Sequence, residues 1–162
     1  MVTRKITGIR TLQRAPVSNG NDGTPVKGYE ILLSCHDEHL ESWTENVSIW
    51  IEDVRQCCEK YDCLMSSGSG RFVGAVLLDV VVSNGGGYDD MFTADFWDAE
   101  NTENSDSVML HESGTFVRKT MFVDVYTSQG ILRFGIYNVH NGTGEHEAVV
   151  DWNGRMSYRV KL

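Results

Sequence analysis

The chain has 162 residues, with 14 Lys and Arg against 23 Asp and Glu, a net charge of −9, and 41% hydrophobic residues. That is the length of one domain able to bury a core without disulfide or metal staples, so a single domain over 1–162 is expected. The apolar content excludes a disordered chain. The negative balance argues against binding nucleic acid or an anionic membrane surface, both of which need Lys and Arg.

In chain order, a first strand is expected over Arg4–Gln13, followed by a loop over Ala15–Pro25 that holds both prolines and several turn formers. Gly28–Cys35, rich in strand formers, gives a second strand. Cys35-His36-Asp37-Glu38-His39 reads as a polar hairpin connection. Val47, Ile49 and Ile51 then alternate with Ser48 and Trp50, the period of a strand, which puts Trp50 on the opposite face, at a sheet surface open to a partner. Ile51, Val54, Cys58, Tyr61 and Met65 fall at helical spacings, so a short helix is expected near Ile51–Met65, as short as two turns around Val54–Lys60, stopped by Ser66–Gly70.

Phe72–Val82 is the most apolar run and reads as a central strand. Phe92–Trp97 is a further expected strand, and Asp98–Asp106 a polar surface loop. The last third reads as a meander: Thr115–Thr127, Ile131–Asn138, Glu145–Trp152 and Arg155–Lys161, separated by Ser128–Gly130, Asn141–Gly144 and the hairpin dipeptide Asn153-Gly154. The whole is expected to be α+β, predominantly antiparallel β, with one short helix packed on a sheet and a C-terminal β-meander.

No apolar stretch has the length of a signal peptide or the roughly 18 residues of a membrane helix. A cytoplasmic setting is expected, with Cys35, Cys57, Cys58 and Cys63 as thiols.

The chemistry-bearing residues gather in two motifs, Gln56-Cys57-Cys58-Glu59-Lys60-Tyr61 and Tyr137-Asn138-Val139-His140-Asn141-Gly142-Thr143-Gly144-Glu145-His146. The candidate functional corner is Cys57, Cys58, Glu59, Tyr137, Asn138, His140, Asn141 and His146. Cys57, Cys58, His140 and His146 are the four ligands a tetrahedral zinc would take. Adjacent helical residues point about 100° apart and Cys-x-x-Cys is absent, so no cofactor is expected, with zinc as the alternative. Across a short turn His140 and His146 would face each other and could act as acid and base. The competing reading is a turn held by Asn138 and Asn141, with the histidines bonded to backbone carbonyls. There is no nucleophile elbow or phosphate loop, and no catalytic residue is assigned. Asp89, Asp90, Asp95, Asp98 and Glu100 lack the spacing of a calcium loop and read as a solvated face.

These motifs, with the strand Phe72-Val73-Gly74-Ala75 between them, resemble a family of small phage and bacterial proteins known as a domain of unknown function. Its members show Cys-Cys-Glu-x-Trp-Gly, Phe-Ile-Gly-Ala, and Tyr-Asn-x-His-Asn-Gly-Tyr-Tyr-Gly-His. The resemblance covers Gly28 to Val150. Here Tyr61-Asp62 replaces Trp-Gly and Thr143-Gly144-Glu145 replaces Tyr-Tyr-Gly. It implies no activity, and it implies that both motifs belong to one structural corner.

The function expected is that of a small acidic accessory protein, associated with a phage or mobile element, acting through a protein partner or a homo-oligomer. The alternatives are a metal- or thiol-dependent enzyme at the Cys57, Cys58, His140 and His146 corner, and an acidic mimic of nucleic acid.

Overall fold

The computed structural model describes residues 1–16, 23–39, 41–54, 60–66, 68–84, 117–140, 145–153 and 155–162. In chain order they form β1 (Thr3–Arg14), β2 (Pro25–His36), β3 (Ser42–Glu52), β4 (Lys60–Met65), a 3₁₀ turn (Ser69–Phe72), β5 (Leu77–Asn84), β6 (Val117–Thr127), β7 (Gly130–His140), β8 (Glu147–Trp152) and β9 (Met156–Lys161). One sheet runs β1-β2-β3-β8-β9 and the other β4-β7-β6-β5, with every pairing antiparallel. The predominantly antiparallel expectation is met.

Alternation makes the sandwich. Ile31, Leu33, Val47, Ile49, Ile51 and Val150 of the first sheet meet Met121, Val123, Val125, Leu132, Phe134 and Ile136 of the second in one core. Backbone bonds also join the sheets at one edge. Ile6 N–H donates to the Ala75 carbonyl and Gly74 N–H to the Ile6 carbonyl, both at 2.8 Å.

Four expectations are corrected. Ile51–Glu52 ends β3 and Lys60–Met65 is a strand, so the expected helix is absent where the chain is described; 55–59 lie outside the described residues. Tyr61 and Cys63 alternate inward with Asp62 between them, a period of two hidden inside the helical spacing. Phe72–Val82 is not a central strand. Its first residue, Phe72, ends the 3₁₀ turn, and among the described residues β5 is a sheet edge with Leu78 and Val81 exposed. The C-terminal third is not one meander: β6 and β7 pair in one sheet, β8 and β9 in the other, so the chain changes sheets between His140 and Glu147. Trp50 is buried, not at an open surface, because Val26, Val149, Leu12 and Ala15 pack around it on the outer side of the first sheet. The expected strand Phe92–Trp97 and the acidic segment Asp98–Asp106 lie outside the described residues.

Glu45 faces inward from β3, with only 5% of its side chain exposed. Its Oε2 accepts from Arg4 Nε at 2.9 Å and Trp152 Nε1 at 3.0 Å; its Oε1 accepts from Trp43 Nε1 at 2.9 Å and Arg155 Nε at 3.2 Å. A buried carboxylate is tolerated only when donors of this kind replace its water.

Candidate functional site

Strand β7 separates two of the candidate residues by alternation. Asn138 pairs with Tyr61 and is fully buried; Tyr137 pairs with Asp62 and points to the other face. Asn138 Nδ2 donates to the Leu162 carbonyl at 3.0 Å. The backbone N–H of His146 donates to that same oxygen at 2.9 Å, and Leu162 N–H returns a bond to the His146 carbonyl at 2.9 Å. Asn138 of one sheet and His146 beside the other therefore meet on one residue.

The His146 ring is 1% exposed and stacks on Tyr61, centroid to centroid 4.3 Å with 28° between the planes. Its Nδ1 lies 3.1 Å from the Glu52 carbonyl. A carbonyl only accepts, which assigns the proton to Nδ1. Glu52 also accepts through Oε2 from Glu147 N–H at 3.1 Å. The Tyr61 hydroxyl donates to Asp53 Oδ1 at 2.7 Å. Lys27 places its ammonium 4.9 Å from the Tyr61 ring centroid and 3.5 Å from the Tyr61 carbonyl. Glu145, the acid standing in the departing turn, is exposed and pairs with Lys119 at 3.2 Å.

Among the expected corner residues the structure thus brings together Asn138 and His146. Cys57, Cys58, Glu59 and Asn141 lie outside the described residues. His140 ends β7 opposite Val117, and its side chain is likewise outside the description. The expected hairpin joining His140 to His146 is not formed, because β7 and β8 lie in different sheets. Of the four proposed zinc ligands only the His146 ring is described. Among the described residues no three His, Cys, Asp or Glu side chains gather as a metal site.

Beside Tyr61 opens a feature absent from the sequence reading, a cleft of about 460 Å³ between β1, β2 and β4. Leu12, Val26 and Tyr29 give it an apolar wall; Lys27, Asp53 and Asp62 give it charge. Burial raises the Asp62 carboxyl above its usual range, with the Cys63 N–H and Lys27 opposing and the Asp53 charge adding. Burial, then the charges of Cys63 and Asp62, raise the Tyr29 phenol. Burial first and Asp62 second push the Cys63 thiol far up. Burial, then the charge of Glu45, also raise the thiol of Cys35 in the core. Both described thiols are buried, and the raised pKa of each disfavours the thiolate, the reactive form. No sequence signal marks this cleft, because its three charges come from separate elements.

Comparison with protein-family models, curated proteins and solved structures gave no match. Among the described residues no helix is long and apolar enough to cross a membrane.

Proposed function

We propose that the chain is a small accessory binding protein, of the phage- or mobile-element-associated kind its motifs resemble, and that it recognises its partner through the cleft between β1, β2 and β4. The observation that carries this reading is the cleft itself. Its volume falls within the roughly 300–1,000 Å³ of ligand sites, and it combines an apolar wall with a few fixed polar groups. The Tyr61–His146 stack and the Tyr61–Asp53 bond support it by holding one wall in place. The suppressed thiols of Cys35 and Cys63 favour binding over thiol chemistry at the described residues. Tyr61-Asp62 stands where the resembling family has Trp-Gly, so the Asp62 charge in the cleft is a feature of this chain.

Acidic mimicry receives less support. Glu30, Glu45, Asp124 and Glu147 are each paired with an arginine of their own chain and are not left to imitate a phosphate backbone.

The test compares wild type with Gln13→Trp, which fills the cleft from the exposed edge strand β1. The expected outcome is a partner retained by wild type and by a protein altered at a remote exposed site, and lost with Gln13→Trp. Turnover on a broad substrate panel that disappears in the His140→Ala protein would overturn the reading in favour of an enzyme.

A further inference from the structure

Resting on the reading of the cleft as a binding site, we propose that it takes an alkylammonium group, the charged end of a lysine side chain or of a free diamine. Three carboxylates removed from water, Glu30, Glu45 and Asp124, face an arginine of their own chain: Arg10 on Glu30 at 2.6 Å, Arg4 and Arg155 on Glu45, Arg133 on Asp124 at 2.6 Å. Asp53 and Asp62 are also half-buried, yet among the described residues neither is in an ion pair. Each spends Oδ1 on a neutral donor, Asp53 on the Tyr61 hydroxyl at 2.7 Å and Asp62 on the Cys63 N–H at 2.8 Å.

The chain's own cation in the cleft does not close the gap. The Lys27 ammonium sits over the Tyr61 ring and beside the Tyr61 carbonyl. Two carboxylates against one ammonium leave the cleft negative. A second ammonium between Asp53 and Asp62 gains charge-assisted hydrogen bonds, and its methylene chain lies along Leu12 and Val26. Lys27 repels such a guest, so the cleft binds it less tightly than the carboxylates alone would.

This arrangement gives opposite signs for two substitutions. The probes are cadaverine, Nα-acetyl-lysine amide, and pentanol as a neutral control, titrated into the intact protein and followed by amide NMR shifts. Asp62→Asn is expected to weaken cadaverine binding about ten-fold, the effect of one charge pair. Lys27→Met is expected to tighten it. Glu41→Gln, an exposed change of equal charge, leaves it unaltered. Melting curves confirm that each variant is folded; Asp53→Asn repeats the test of Asp62→Asn at the second carboxylate.

Binding of cadaverine without the lysine amide supports a free amine; binding of both supports a protein lysine. Pentanol binding as well as cadaverine, or the reverse signs for Asp62→Asn and Lys27→Met, overturns the alkylammonium assignment and leaves the cleft a binding site. A partner retained equally by wild type and Gln13→Trp removes the cleft itself.

Discussion

Glu45 shows how one residue sets an acid limit. Burial alone would raise its pKa, but hydrogen bonds from Arg4, Trp43, Trp152 and Arg155 outweigh it and hold the carboxyl at about 2, against the usual 4.5. A folded-state pKa below the unfolded one contributes stability that is complete above about pH 4.5 and lost as pH falls toward 2. At about 1.4 kcal/mol per tenfold change, that contribution is about 3 kcal/mol. Glu45→Gln is expected to lower stability near neutrality by about 3 kcal/mol, because Arg4 and Arg155 lose their counter-charge. It also flattens the acid limb, and urea denaturation near neutrality and at about pH 3 checks both effects. Nothing in the local sequence announces this. Arg4, Glu45 and the Trp152–Arg155 segment are far apart along the chain, and only the order β1-β2-β3-β8 of the first sheet unites them. His146 was legible as a candidate because its motif is compact. Lys27, Asp53 and Asp62 were not, because each is an ordinary charge until β4 folds against β2.

At the scale of elements, the strands were legible wherever alternation was undiluted. β1, β2, β6, β7, β8 and β9 were expected within about three residues of their observed ends, and of β3 (Ser42–Glu52) the C-terminal half, Val47–Ile51, was expected. β4 was misread because Ile51, which belongs to β3, completed a helical spacing with residues of the next strand. β5 was misread because a run apolar on both faces implies burial on both, whereas Leu78 is 64% exposed. Close approach is a further property that periodicity does not carry. A Cβ on Gly28 would stand 2.1 Å from the Ile49 carbonyl oxygen and 2.5 Å from Trp50 Cβ. Gly28→Ala is therefore expected to cost about 2 kcal/mol, read as a lowered urea midpoint. The β8–β9 turn offers a paired test. Asn153 has φ 39°, and its Oδ1 accepts from Asn46 N–H at 2.7 Å. Asn153→Gly keeps the backbone freedom and loses only the bond, at about 1 kcal/mol. Asn153→Ala loses both and is expected to cost about 2 kcal/mol in the same assay.

For the molecule as a whole, the pairings join distant segments: β3 with β8, and β4 with β7. Such contacts must close long loops before they stabilise anything, so folding on a millisecond-to-second scale is expected, measured by stopped-flow refolding. The sheet change between β7 and β8 could not be seen in a sequence where a turn signal fits a hairpin equally well. What decides between them is which face each strand must bury. The Trp43 and Trp152 indole N–H groups both end on Glu45, and this gives the molecule an optical gauge of its own. Excitation moves electron density in indole from the pyrrole ring toward the benzene ring, so an anion at the N–H end shifts emission to the red. Loss of that charge on acidification should shift tryptophan emission to the blue while the backbone circular dichroism is still that of the intact sandwich. Exposure of the rings to water on unfolding should then reverse the shift.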